Sequence, residues 1–374
     1  MGNHALLSAS SSHRWLNCPP SARLCESYDD KGSDFAAEGT DAHALCEYKL
    51  RKALGMAAQD PTESLTWYST EMEDCANGYV AFVMELVAEA KKVCADPVVL
   101  IEQRLDYSKY VKEGFGTGDC VIIADEMLHI VDYKHGRGVL VEADDNPQMK
   151  LYALGALELF DCIYDIDTVS MTIYQPRRSN VSTFTISKQE LCEWADNVLT
   201  PTAELAFQGS GEYHCGEWCQ FCKAKADCRE RAKANMELAR YEFRQPPLLT
   251  DEEVEEILGQ IDGLTTWASD IKDYALQAAI SGKQWSGYKL VEGRSNRKYT
   301  DEHAVIAAVT AAGYDPYEHK VLGITAMTAM LGKKQFNAIL GDLITKPQGK
   351  PTLVPESDKR PAMTTIIDDF KEDN

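Results

Sequence analysis

The chain has 374 residues, a formal net charge of −21, and hydrophobic and charged fractions of 44% and 26%, the balance of an ordinary soluble protein. Its length allows two or three domains, each with its own core. The charge argues against a protein that coats nucleic acid nonspecifically, because phosphate neutralisation needs clustered Lys and Arg, but local metals can offset acidic ligands inside a site.

No apolar run approaches the roughly 20 residues needed to span a bilayer. The first 16 residues lack the basic-then-apolar order of a secretory signal. Leu6 stands where a myristoylation motif after Gly2 wants Ser or Thr. These features lead us to expect a cytoplasmic protein without membrane partners.

In chain order, helices are expected over 21–28, after Pro19-Pro20, then over 35–54 and 70–93. The period then changes. Residues 98–105, 120–124 and 128–133 are short, β-branched and bounded by Gly or Asp, as strands are. Asn146-Pro147 opens a helix whose apolar positions, Met149, Tyr152, Ala153, Ala156, Leu157 and Phe160, keep helical spacing. A strand over 168–174 and helices over 188–207 and 223–241 follow. This order predicts an α/β core, a mixed sheet flanked by helices.

Pro246-Pro247 marks a boundary, so residues 1–245 are read as one domain. Residues 246–346 form a mostly helical accessory unit, with a long helix expected over 250–280, and 347–374 a tail. Lys289, Arg294, Arg297 and Lys298, interleaved with Tyr288 and Tyr299, then Lys333-Lys334, Lys346, Lys350 and Lys359-Arg360, suit either a DNA track or a solvated face.

The segment 116–134 reads as a β-hairpin turning at Asp125-Glu126. Pairing about that turn sets Asp119 opposite Asp132 or Tyr133, and Asp132 and Lys134, two apart, share a strand face. Two carboxylates and an ammonium thus converge. Such hard oxygen ligands suit Mg²⁺ or Mn²⁺, and a lysine beside the ion can orient a water or stabilise phosphate charge. Gly116 and Gly118 allow close backbone approach. Gln148 and Tyr152, four apart, share one face of the following helix, and His43 lies in Glu38-Gly39-Thr40-Asp41-Ala42-His43.

Seven of the twelve cysteines are scattered singly, whereas Cys215, Cys219, Cys222 and Cys228 are crowded together. That pattern is a metal site in a reducing compartment rather than a disulfide scaffold. The run Cys219-x2-Cys222-x5-Cys228 supplies three thiolates. The fourth ligand is either Cys215, a local set that suits zinc, or the distant Cys18.

Glu38-Gly39-Thr40 with His43, Gly118-Asp119, Asp132-Tyr133-Lys134 and Gln148-x3-Tyr152 resemble the successive motifs of RecB-like nucleases in the PD-(D/E)XK superfamily. The resemblance spans residues 8–235. It is closest to the iron–sulfur branch that includes AddB-type and CRISPR-adaptation exonucleases and phage-encoded homologues. It implies a restriction-endonuclease-like core in which Asp119, Asp132, His43 and the Tyr133 carbonyl ligate the metal. Lys134 is then the catalytic lysine, and Gln148 and Tyr152 orient it or the DNA. It also implies that Cys18 joins Cys219, Cys222 and Cys228 around a [4Fe–4S] cluster that staples the two ends of the domain, with Zn²⁺ the alternative.

The expected activity is Mg²⁺- or Mn²⁺-dependent hydrolysis of DNA phosphodiesters, exonucleolytic, in phage or bacterial recombination, repair or replication in the bacterial cytoplasm. Its expected partners are DNA and a phage single-strand-binding, annealing or helicase protein. The rival expectation is an inactive, cluster-bearing DNA-binding or scaffold protein.

Overall fold

A computed structural model describes residues 5–28, 32–237, 249–292, 299–317 and 321–345. Contacts group the chain into two compact units, Met1–Val291 and Glu292–Asn374.

The first unit is built on a five-stranded mixed sheet in the order β1 (Val98–Asp106), β2 (Phe115–Ala124), β3 (Met127–Tyr133), β4 (Thr168–Gln175), β5 (Asn180–Ser187). All neighbours are antiparallel except β3 and β4. The parallel pair requires a crossover, and a helix supplies it. The β2–β3 hairpin turns where expected, with Ala124 opposite Met127 and Glu126 in the left-handed region at φ 62°.

Side chains alternate between two buried faces. Short helices α1 (Ser12–Asn17) and α2 (Ser21–Leu24) open the chain. Next, α3 (Asp34–Ala53) and α4 (Thr70–Val93) pack one face of the sheet, where Leu45, Leu50, Tyr79 and Val83 meet Ile101, Cys120, Ile122, Val131 and Tyr133. Both helices start at a serine whose side chain accepts a backbone N–H two or three residues into the helix, Ser33 from Ala36 and Ser69 from Met72. The crossover helix α5 (Pro147–Tyr164) covers the opposite face, where Met149, Ala153 and Ala156 meet Leu105, Val121, Ile130 and Met171. Asn146 caps it by accepting from Gln148 and Met149, with Pro147 in the first turn.

Beyond β5 come α6 (Lys188–Trp194), a π-helical turn at Ala195–Leu199, and α7 (Thr200–Gln208). The helix expected over 188–207 is therefore widened at its middle. The strand β5 has no counterpart in the sequence reading, because Thr and Ser fill positions where an apolar alternation would announce it. It pairs with β4 through the short 3-10 turn Pro176–Arg178.

After the cysteine-rich segment, α8 (Arg229–Met236) starts six residues later than expected. Residues 223–228 are instead turned, with the Lys225 and Cys228 amides donating to the carbonyls of Cys222 and Ala224. The remainder of that expected helix, 238–241, lies outside the described residues.

The helix expected over 250–280 is two, α9 (Asp251–Leu258) and α10 (Ile261–Ile280), separated at Gly259-Gln260, where glycine is a poor helix former. The first unit thus takes in α9 and α10, which the reading from Pro246-Pro247 assigned to the second. On α10, Asp270 meets Arg231 at 2.5 Å and Lys225 at 2.9 Å, so a carboxylate ties it to the cysteine-rich segment. The second unit, as described, is helical: α11 (Glu302–Ala311), α12 (Ile324–Leu331) and α13 (Lys333–Leu340). Among the described residues, no helix is long and apolar enough to cross a membrane.

Candidate metal centre and cysteine cavity

The hairpin register decides the site. Cys120 pairs with Val131, so Asp119 falls opposite Asp132 one step further on. There the Tyr133 amide donates to Asp119 Oδ2 at 2.7 Å, which fixes that carboxylate against the end of β3. The backbone of Lys134 continues onto β4, its N–H donating to the Tyr174 carbonyl at 2.9 Å.

On the α5 side, Lys134 Nζ lies 2.8 Å from Asp132 Oδ2 and donates to Gln148 Oε1 at 3.2 Å. Gln148 Nε2 donates to Asp132 Oδ1 at 3.1 Å and to the Tyr152 hydroxyl at 3.2 Å. The i, i+4 spacing on α5 puts the amide and the phenol over the same carboxylate. Gly116 makes this possible: a β-carbon there would stand 2.7 Å from Tyr152 Cε1.

His43, on α3, brings Nδ1 to 3.3 Å from Asp119 Oδ1. The third member of this group is Glu102, which the sequence reading did not single out. His43, Glu102 and Asp119 offer ligand atoms within 4.8 Å of one another, and among the described residues they are the one such group of three. Glu102 stands in β1 between the pairs Ile101–Cys120 and Gln103–Gly118, across from Asp119, with its backbone held at φ 50°. A non-glycine residue in that region is strained by about 1–3 kcal/mol, and such strain clusters at functional sites. The available signal was a carboxylate interrupting Val98-Val99-Leu100-Ile101. Asp132, by contrast, is engaged by Lys134 and Gln148.

The electrostatics follow from packing three acids beside one histidine and one lysine. Burial and the charge of Asp119 push Glu102 up to about 7. Burial opposes protonation of His43, but Asp119 outweighs it and lifts the imidazole to about 9. Burial likewise works against ionisation of Asp119, yet the His43 charge and hydrogen bond and the Tyr133 amide hold it below the usual carboxylate range. Burial raises Asp132 despite Lys134. Lys134, disfavoured as a cation by burial, is held up by Asp132 and Asp119. The acids outnumber the bases, so the donor set fits a divalent cation taking oxygen and imidazole ligands.

Elsewhere in the first unit, Cys18, Cys219, Cys222 and Cys228 line one cavity, together with Arg14 and Arg231. Cys18 follows α1, its amide donating to the Arg14 carbonyl at 2.8 Å, and Cys219 sits in the 3-10 turn Glu217–Phe221. Arg14 is itself held by the Ser21 carbonyl at 2.7 Å and hydroxyl at 2.9 Å. Cys215 does not line the cavity but hydrogen-bonds Cys219.

Four thiolates on one zinc at about 2.3 Å would bring their sulfurs within about 4 Å of each other. Among the described residues no three thiols lie within 4.8 Å. Four thiols with two guanidiniums beside them suit a thiolate-ligated metal or cluster, whose ligands carry negative charge.

In the remaining basic stretch, Tyr288 and Tyr299 are exposed, as is Lys289. Arg294, Arg297, Lys298, Lys346, Lys350, Lys359 and Arg360 lie outside the described residues.

A family model described as "Protein of unknown function (DUF2800)" matches residues 4–361. A solved structure titled "Crystal structure of SSO0001" is similar at 11% sequence identity and a TM-score of 0.24, covering 50% of this chain and 95% of that one, a likeness that carries no argument.

Proposed function

The chain belongs to the DUF2800 family, and we propose that it is a metal-dependent DNA nuclease with a RecB-like, PD-(D/E)XK-type core. One observation carries the reading: Asp119, Asp132 and Lys134 converge at one end of a hairpin, beside a His43–Glu102–Asp119 group suited to a divalent ion. Mg²⁺ or Mn²⁺ held by His43, Glu102 and Asp119, with Asp132 and the Tyr133 carbonyl at the same edge, would supply Lewis acidity and a more acidic water.

The protein's own part is positional and electrostatic. Asp132 and Asp119 keep Lys134 protonated, so it is a fixed positive charge for the phosphate oxygens as charge builds on them. Gln148, bridging Asp132 and Tyr152, fixes the carboxylate that aims the lysine. Gly116 admits the Tyr152 ring that backs this bridge. Cys18, Cys219, Cys222 and Cys228 hold a [4Fe–4S] cluster in this reading, with zinc the alternative, and the group joins residue 18 to the segment 219–228.

The net charge of −21 favours a second reading, an inactive cluster-bearing DNA-binding or scaffold protein that works through a partner. A metal census on anaerobically purified protein, followed by cleavage assays on single-stranded, linear duplex and circular DNA with Mg²⁺ or Mn²⁺, separates the two. Asp119→Ala, Asp132→Ala and Lys134→Ala should each abolish cleavage and leave the circular dichroism spectrum unchanged. Metal-dependent cleavage that persists in all three would sink the nuclease reading.

A further inference from the structure

Behind the cysteine cavity a second thiol contact joins the same two segments of the first unit. Cys25, in the 3-10 turn Cys25–Ser27, brings its Sγ to 3.7 Å from Sγ of Cys222. Both side chains are buried, 7% and 9% exposed, and pack with Ala224 against Leu24 and Tyr28. Cys222 lines the cavity and Cys25 does not, so Cys25 approaches its partner from outside the proposed ligand set. The two segments are also clamped beside this contact, because the Tyr28 hydroxyl donates to Asp227 Oδ1 at 2.8 Å. Cys219, the sequence neighbour that a Cys-x2-Cys spacing would offer Cys222, is engaged with Cys215.

We propose that Cys25 and Cys222 form a disulfide site in the metal-free protein, closed by a peroxide. A disulfide needs sulfurs about 2.05 Å apart, so the pair must close by less than 2 Å. One thiolate attacks a peroxide oxygen, the O–O bond breaks, and a sulfenic acid and hydroxide result. The second thiol's sulfur then attacks the sulfenic sulfur, and the departing hydroxide takes the thiol proton as water. In total, two thiols and one hydrogen peroxide become one disulfide and two waters.

A metal ligated by Cys222 occupies the electron pair this step needs, so metal and disulfide exclude one another at that sulfur. The bond would span 197 residues and hold these two segments together when the cavity is empty. The pairing rests on the contact alone, whereas its exclusion by metal rests on Cys222 being a ligand.

The test uses the full chain in two states, as purified with its metal, and after chelation under reductant. Each is treated with hydrogen peroxide, alkylated, digested without reduction and mapped by mass spectrometry. The stripped protein should yield the Cys25–Cys222 peptide as its main cross-link, and the oxidised form should melt higher than its reduced counterpart. Cys25→Ser should lose both effects, while Cys94→Ser keeps them. A main bond of Cys219–Cys222 or Cys215–Cys219, or recovery of alkylated Cys25, would overturn the proposal. Equal cross-linking in the metal-loaded state would support the pair and remove Cys222 from the ligand set. The mapping of the unmodified chain stands even where a variant fails to fold.

Discussion

Replacing Glu102 by glutamine isolates the energetic consequence of the crowded carboxylates. Glu102 rises from 4.5 to about 7 through burial and the nearby charge of Asp119. An acid whose folded value lies above its unfolded value binds its proton more tightly in the fold. Stability therefore falls as pH rises through that window, with the penalty absent below about pH 4.5 and complete above about pH 7. A gap of about 2.5 units corresponds to about 3 kcal/mol at full ionisation. Without metal, Glu102→Gln should gain on the parent by up to that amount at pH 8 and by little at pH 4.5. The measurement is urea unfolding of both proteins at the two pH values, with EDTA or with Mn²⁺. Mn²⁺ should narrow the difference at pH 8, since the ion offsets the repulsion only where the carboxylate remains. A parent and variant with the same pH slope in EDTA would refute the reasoning.

Other changes test the frame around the site. Asp270→Ala strips the counter-charge from Arg231, which is 4% exposed, and a buried guanidinium left unpaired should lower stability by about 3–5 kcal/mol, read by chemical denaturation. Gly116→Ala drives a methyl against the Tyr152 ring, so we expect an overpacking loss of about 1–3 kcal/mol in a thermal melt, and Tyr152→Leu in the same chain should recover part of it. His129, beneath the sheet face and bonded to Thr172 Oγ1 at 2.8 Å, is pushed down to about 4 by burial. The unfolded chain therefore takes up that proton first, and stability should drain away as pH drops from about 6.5 toward 4. His129→Gln should remove that part of the pH dependence in denaturant titrations.

The parts of this protein that were legible in the sequence are those decided by local rules. The hairpin was readable because a two-residue turn fixes the pairing of everything before it, which is how Asp119 could be set against Asp132 or Tyr133 from spacing alone, and the register selects Asp132. Likewise Gln148 and Tyr152 announce a shared face because a helix repeats every 3.6 residues. Glu102 was not legible. Its place beside Asp119 depends on β1 joining the far side of β2, eight residues of loop and turn away, and on a backbone conformation that glutamate rarely adopts. His43 carried its chemistry in its residue type, but what carries it to the sheet edge is the burial of Leu45, Cys46 and Leu50 on α3. The strand β5 hid behind Ser and Thr, whose hydroxyls pair across the ladder, Thr172 with Thr183 at 2.8 Å, instead of alternating with apolar neighbours. The six cysteines around the cavity divide by contact, not by spacing, and so Cys25 lay unnoticed among the scattered ones.

The cavity shared by Cys18 and Cys219 also sets a schedule for synthesis. Its first wall leaves the ribosome about 200 residues before its second, a delay of roughly 10–40 s at 5–20 residues per second. During that interval the hairpin, the crossover helix and the carboxylate end of the site can all be assembled, while the early cysteine waits without its neighbours. Any metal the cavity takes is therefore loaded last, onto a domain whose sheet already exists. A chain released early, before Cys228, would carry the chemistry-bearing edge without a closed cysteine cavity, and quality control in the cell would meet it as an open form.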